Sequence, residues 1–416
     1  MEKYEGEDKY AQNRHFLLYL AFSSPIMVKR PDLTMQRRKM KILFLTSSME
    51  TGGAERVAAL LASAWADQGH DVTLMPTFSG RGDCAFPLSD SVELRFLADI
   101  ASPNAGKLAR LRTLRAFIRS AQPDVIISFL PHVNAAAVAA AAGLGIPVVA
   151  CERTYPPLLQ PPLPPFYRIA RRLTYPFAAA LVGQTETAAV WLRARAGRAP
   201  VATIPNPVVN PLPSNPPRLN PGDLFGPDRK LVLWAGRFEE SKRADVLIDA
   251  FARIAAGAAG WDVILLGDGP ARAAAFERVR QHGLEDRIRL PGFAGNLAEW
   301  YARADAFVMT SSYEGFPNAL LEALAQGLPS IAFDVLTGPA ELADNGRRLI
   351  LLPDRDHVDA LADALSTLLT DEARRAELGR AALETATDYS KDRVLAMWDD
   401  LFAKVVRSGG ATEAKL

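Results

Sequence analysis

Cysteine is nearly absent: the chain of 416 residues holds two, Cys84 and Cys151, isolated and without C-x-x-C spacing. Such usage argues against a disulfide framework or a thiolate zinc site and fits a reducing compartment. Neither sign of charge is in excess, with 48 basic and 47 acidic residues and a formal net charge of +1, so no overall field recruits nucleic acid. A long hydrophobic run is also missing. The apolar stretch at 15–28 (HFLLYLAFSSPIMV) is too short and too interrupted to cross a bilayer. The acidic MEKYEGEDKY before it lacks the basic start of a signal peptide. Residues 1–39 are foreign to the rest of the chain; the expectation is that they lie outside the fold, with a misassigned start codon and Met40 as the beginning. What remains is globular, 49% apolar and long enough for two domains.

From Met40 onward strand and helix patterns alternate. Unbroken apolar runs predict buried parallel strands over 41–46, 71–76, 125–129, 148–151, 180–183 and 201–204. After the first strand comes a turn with Gly52 and Gly53, then a helix over 54–68. The turn lacks G-x-G-x-x-G, which disfavours a dinucleotide cofactor, while its glycines allow a phosphate or sugar close to the backbone; a plain tight turn is the alternative. His132 is placed on the loop between the strand VIISF and an alanine-rich helix at 134–142, where a ligand-facing histidine belongs; a structural histidine is the alternative. The proline-dense 155–166 is too irregular for core, and Arg168, Arg171 and Arg172 follow on a short helix. A helix over 107–120 carries Lys107, Arg110, Arg112, Arg115 and Arg119 without an acidic residue, opposite a stripe of Leu108, Leu111, Leu114 and Ile118. Such a helix suits an anionic lipid surface; a solvated cationic face is the alternative.

A proline-rich linker, 209–222, separates two alternating series. The second has strands over 231–234, 263–266, 288–292, 306–309, 331–333 and 349–352, with helices over 244–256, 319–326, 358–369, 372–386 and 391–406. The expected units are an N-terminal domain at 40–208, a C-terminal domain at 223–390, and a helix at 391–416 returning to the N-terminal domain. This is an α/β architecture of two doubly wound domains with the ligand in the cleft between them.

Two stretches of the second series carry chemistry. GRFEESK (236–242) presents Arg237 and Lys242 at a strand end, a fork and a point charge suited to a diphosphate; the acidic neighbours Glu239 and Glu240 leave a plain surface as the alternative. SSYEGFPNALLEA (311–323) sets Glu314 on a strand-to-helix loop and Glu322 a turn into the helix. Amide donors at that helix start and two acceptors beside them can grip a phosphate and a polyol; a solvated loop and an exposed helix face are the alternative.

GGAER (52–56), NPV (206–208), GRFEESK, GDGP (267–270), PGF (291–293) and SSYEGFPNALLEA occur in order. Together they resemble the retaining glycosyltransferases of family 4 over essentially all of the chain after Met40. The resemblance implies the GT-B fold, two Rossmann-like domains with the donor sugar nucleotide on the second and the acceptor on the first. It implies that Arg237 and Lys242 hold the diphosphate and that Glu314 faces the donor sugar. Gly315, Phe316, Pro317 and Asn318 would form the loop under that sugar, with Glu322 on the ribose. Gly53 would approach the diphosphate and His132 the reacting carbon. Arg243 departs from the glycine usual after the lysine, which puts the local loop in question. Asp354 and Asp356 spell D-x-D, but late and before a peripheral helix, and are read as surface; no metal is expected.

Within the family the chain is similar to enzymes that extend polyprenyl-diphosphate-linked oligosaccharides in surface polysaccharide assembly. The implied partners are a UDP- or GDP-sugar, a lipid-linked acceptor and an anionic membrane surface on the cytoplasmic side, with no nucleic acid. The reaction implied is front-face hexosyl transfer with retention. A sugar-nucleotide 2-epimerase of the same fold and a non-catalytic sugar-nucleotide-binding protein are the alternatives.

Overall fold

The structure, a computed structural model, describes residues 38–410 except 51, 79–83, 103 and 159–161, with side chains described as far as Val406. The expectation about 1–39 therefore falls outside the described residues but for Arg38 and Lys39. Seven strands form the first sheet: β1 (Lys41–Thr46), β2 (Asp71–Pro76), β3 (Val92–Leu94), β4 (Val125–Phe129), β5 (Val148–Cys151), β6 (Ala180–Gly183) and β7 (Val201–Thr203). Their order is β3-β2-β1-β4-β5-β6-β7. The second sheet contains β8 (Lys230–Ala235), β9 (Trp261–Leu266), β10 (Ile288–Gly292), β11 (Ala306–Met309), β12 (Ser330–Asp334) and β13 (Ile350–Pro353) in the order β10-β9-β8-β11-β12-β13. Every pairing between these strands is parallel.

In each sheet the chain first winds outward from a central strand and then returns to that strand's other side. The order thus reverses between β1 and β4 in the first sheet and between β8 and β11 in the second. Loops leaving the carboxyl ends of those pairs diverge, and the crevice they leave is where open α/β sheets bind ligands.

Both faces of each sheet are covered, so the strands read as continuous apolar runs. Phe44 of β1 meets Phe129 of β4 edge-on at 4.7 Å and packs toward Trp65 on the helix Gly53–Asp67. The last helix, Lys391–Gly410, brings Trp398 edge-on to Trp65 at 5.6 Å, and Val394, Leu395, Leu401 and Phe402 join that core. The chain leaves and re-enters the first half at one place, where Val208 N–H donates to Tyr389 O at 2.8 Å and Val208 pairs with Ser390.

Several sequence expectations change. The helix expected at 134–142 spans Pro131–Ala141, so His132 lies in its first turn and not on a loop; Pro131 sits where its missing N–H costs nothing. Pro156 of the proline-dense stretch is buried in a short 3-10 turn, Pro156–Leu158. The basic helix is Lys107–Ala121, and its apolar stripe is shorter than expected, because Leu114 and Ile118 are buried while Leu108 is 61% exposed. Arg115 is committed to protein, donating to Ala140 O at 2.9 Å and Ala142 O at 2.6 Å at the end of the helix beneath it. A cation at the carboxyl end of a helix dipole is favourable.

Candidate active site

The second half builds its part of the site from two adjacent strand ends. β8 delivers Arg237 and the 3-10 turn Glu240–Lys242; β11 delivers Thr310 and the loop carrying Glu314. The loops are tied together: Ser312 N–H donates to Ser241 O at 2.8 Å, and Thr310 Oγ1 donates to Lys242 O at 2.7 Å. Lys242 Nζ then reaches Glu314 Oε1 at 2.7 Å, with the carboxylate side chain only 12% exposed. Arg237 projects into solvent and contacts Glu239 Oε1 at 3.1 Å. A cation at 25% exposure beside a sheltered carboxylate can take a phosphate while the carboxylate takes a hydroxyl.

Arg243 occupies a left-handed position, φ +46°, where glycine sits without strain and an L side chain does not. Its guanidinium offsets that cost. Nε donates to Thr310 O at 2.7 Å, one terminal nitrogen to Ser311 O at 2.9 Å and to Asp354 at 3.2 Å, and the other lies 2.7 Å from His357 Nε2. The departure from glycine therefore keeps the turn and adds a clamp on the end of β11, and Asp354 of the D-x-D stretch, exposed as expected, serves that clamp. Arg243→Ala should destabilise the fold, seen as a lower melting temperature, and by about 1 kcal/mol more than Arg243→Gly does, because alanine loses the clamp yet keeps the left-handed strain. An alanine variant as stable as wild type would remove the clamp from this account.

The helix Asn318–Ala325 follows the Glu314 loop, with Pro317 at its cap and Phe316 buried against Tyr389, ring centroids 5.9 Å apart. Phe316 is thus core under the loop. Gly315 has no room for a side chain: a Cβ would lie 2.4 Å from Arg153 O of the first half. Gly53 starts the helix Gly53–Asp67, and a Cβ there would lie 3.2 Å from Asn318 Nδ2. Asn318 Oδ1 accepts from Asn206 Nδ2 at 2.6 Å. Asn206 is buried and accepts from Arg153, whose guanidinium lies 4.1 Å from the Phe129 ring and whose pKa burial pushes down to about 10.

Glu322 does not lie on an exposed helix face. Its side chain is 4% exposed, Arg56 of the first half forms an ion pair with Oε1, and Tyr301 Oη donates to Oε2 at 3.2 Å. Arg56 and Asn206 lie inside the GGAER and NPV motifs, but their contacts cross the whole chain and leave no local signal. His132 makes its contacts among the described residues with the first half: its Nε2 is 3.0 Å from Ser47 Oγ at the end of β1, and Phe78 meets its ring edge-on at 4.4 Å. Burial lowers its pKa, so the imidazole is neutral near pH 7.

A further bridge between the halves is Glu341, whose carboxylate accepts the Glu186 N–H at 2.9 Å at the start of the helix Glu186–Arg193. Burial pushes its pKa up from 4.5 to about 7. Between those values the folded protein holds a proton that the unfolded chain has released, so this group's contribution to stability falls as pH rises through that window. Glu341→Gln should abolish the slope, gaining on the order of 2 kcal/mol relative to wild type between about pH 5 and pH 8. Parallel melting curves of the two proteins at the two pH values check it; a constant difference would remove Glu341 as the cause.

Two doubly wound halves, a cation and carboxylate paired at the second half's switch point, and a glycine helix start beside Asn318 make up the frame that the resemblance to GT-B glycosyltransferases implies. Comparison with known proteins agrees. Residues 52–207 match the glycosyl transferase 4-like domain and residues 229–371 match glycosyl transferases group 1, and the chain belongs to this family of glycosyltransferases. An exopolysaccharide phosphotransferase of Streptomyces coelicolor is 29% identical over 88% of this chain, which spans only 41% of that longer protein. The amylovoran biosynthesis glycosyltransferase AmsD of Erwinia amylovora is 25% identical, over 87% of this chain and 99% of its own. A Campylobacter jejuni α-1,4-N-acetyl-D-galactosaminyltransferase, named for a diphospho-undecaprenol-linked acceptor, is 26% identical, over 88% of this chain and 99% of its own. The Anabaena protein HepE, crystallised with UDP and glucose, superposes with a TM-score of 0.68 at 22% identity, covering 91% of this chain and 100% of its own. With transferases as its relatives, the epimerase alternative is not favoured.

Proposed function

We propose that the protein transfers a hexosyl or N-acetylhexosaminyl unit, with retention, from a nucleoside diphosphate sugar to a lipid-linked saccharide during polysaccharide assembly at the inner face of the cytoplasmic membrane. The observation that carries the reading is the Lys242–Glu314 pair at the β8–β11 switch point. Lys242 and Arg237 take the diphosphate, and the amides at the Gly53 helix start add a positive dipole end. Glu314 holds the sugar hydroxyls over Gly315, Phe316, Pro317 and Asn318, and Glu322 accepts from the ribose. The bond from the anomeric carbon to the phosphate oxygen breaks, and the acceptor oxygen bonds to that carbon on the same face. The acceptor proton passes to the leaving phosphate. Charge grows on the diphosphate in this step, and preorganised cations there stabilise the transition state more than the ground state. Neutral His132 orients the sugar as a hydrogen-bond partner, and no metal is needed because Arg237 and Lys242 supply the countercharge.

The relatives' names support a lipid-linked acceptor, as does the cationic helix Lys107–Ala121, where Arg112 and Arg119 are exposed. The test is incubation with labelled UDP- and GDP-sugars, with and without polyprenyl-diphosphate-linked saccharides. Label should enter the lipid fraction only when acceptor is present. Release of an epimerised sugar without acceptor would overturn the reading.

A further inference from the structure

The helix Pro165–Thr174 buries none of its ten residues. Phe166, Ile169 and Leu173 recur at helical spacing on its outer side, 63%, 60% and 64% exposed, and Phe177 just beyond is 80% exposed. Periodicity alone would turn this stripe inward. The opposite side is what points in, because Glu152 is buried and needs a cation. Arg171 supplies it at 3.6 Å and stacks over Trp191 at 4.6 Å, while Tyr175 Oη donates to Glu152 Oε1 at 2.5 Å. The pull of a buried carboxylate on Arg171 thus sets the rotation of the helix and presents its apolar side outward.

The surroundings of the stripe are cationic. Lys107 Nζ lies 5.4 Å above the Phe166 ring and 5.2 Å from that of Tyr167, and Arg168 and Arg172 are exposed beside it. No aspartate or glutamate occurs in residues 107–123 or 153–185 apart from the first half's buried Glu152 just before them. At its far end the stripe opens into a groove of about 730 Å³ lined by Val138, Ile146, Leu173, Phe177, Leu401 and Val405, with Lys404 on its wall. At its near end Tyr167 is 5.9 Å from the His132 ring, so the stripe begins beside the mouth of the first half's strand ends.

We propose that this face inserts into an anionic bilayer, with Phe166, Ile169, Leu173 and Phe177 among the acyl chains and Lys107, Arg168 and Arg172 on the headgroup phosphates. An apolar stripe rimmed by cations is the pattern of a helix that lies in the membrane interface. Charge selects the occupant: a second copy would bring the same cations face to face, whereas an anionic bilayer offers both counter-charge and an apolar interior. The proposal deepens the lipid-linked-acceptor reading in its consequence for turnover, but vesicle binding does not depend on that reading.

The test uses vesicles of phosphatidylcholine and phosphatidylglycerol, with the full chain. Wild type should co-sediment and retain part of its binding at about 1 M salt, where the screening length is about 3 Å. The triple variant Phe166→Ser, Leu173→Ser, Phe177→Ser should lose binding at least tenfold at low salt and all of the salt-resistant part. These residues are exposed, and an unchanged melting temperature confirms the fold. Phe166→Trp should shift its emission to the blue on vesicles and be quenched by brominated acyl chains. Wild-type binding by the triple variant, or unquenched Trp emission, would overturn the proposal. So would lipid-free self-association that the triple variant abolishes, which would assign the face to a second copy. If wild type binds vesicles but transfers nothing to a detergent-solubilised lipid-linked acceptor, the functional reading fails and the docking face stands.

Discussion

Lys242→Ala should lower turnover at saturating donor at least tenfold, and by about a hundredfold if the lysine supplies as much as a typical preorganised donor to a developing anion, roughly 2.7 kcal/mol. Two effects act in the same direction. The leaving diphosphate loses a positive charge that grows in value as its own charge grows. Glu314, 12% exposed and 2.7 Å from Nζ in the wild type, also loses its partner and adds a negative charge next to the phosphates. The second effect separates from the first in a cycle with Glu314→Gln. The glutamine variant should bind UDP nearly normally while losing turnover, since its partner charge remains for the phosphate. The double variant should bind UDP better than Lys242→Ala alone, because the unpaired carboxylate is gone. Steady-state rates and UDP affinity on the four proteins decide the matter. A lysine variant within twofold of wild type would remove Lys242 from the chemistry.

What could be read beforehand followed the range of the physics involved. Buried parallel strands betray themselves as unbroken apolar runs, and Lys41–Thr46, Val125–Phe129 and Ala306–Met309 have the bounds that their runs predict. β3 (Val92–Leu94) is short and half-exposed and has no such run. The helix Glu186–Arg193 was legible in principle, since Thr185 caps it by accepting from Ala188 N–H at 3.1 Å, but its eight residues give periodicity little room. Lys242 and Glu314 stand out from their motifs, and adjacency of β8 and β11 is what joins them. Rotations set by remote charges were illegible: nothing near Arg171 in sequence says that Glu152 is buried, so Phe166 and Leu173 could not be placed outward. The same holds for Arg243, whose clamp depends on carbonyls of residues 310 and 311.

The Arg56–Glu322 pair should separate stability from nucleotide affinity. Arg56 belongs to the first half's leading helix and Glu322 to the helix after the Glu314 loop, and their ion pair engages Glu322 Oε1 while Tyr301 engages Oε2. A ribose hydroxyl that donates to Oε1 competes with Arg56 for the same oxygen. Arg56→Met keeps the aliphatic stem and removes the competitor, leaving a carboxylate that is 4% exposed without its cation. Loss of one partner of a fully buried pair costs about 3–5 kcal/mol. Exposed pairs contribute about 0–1, and Arg56 at 37% exposure places this pair between them, at about 1–3 kcal/mol. The melting temperature of Arg56→Met without nucleotide should therefore fall. UDP should raise it by more than it raises the wild type, because ligand stabilisation grows with affinity and the ribose replaces the missing partner. Glu322→Gln should do the opposite: it spares the fold the unpaired charge, but its smaller UDP-induced shift reports a weaker ribose contact. The opposed signs discriminate between roles, since a purely structural pair would lower stability in both variants and leave the UDP-induced shift unchanged. Equal shifts in wild type, Arg56→Met and Glu322→Gln would take Glu322 off the ribose and leave the pair as a brace between the halves.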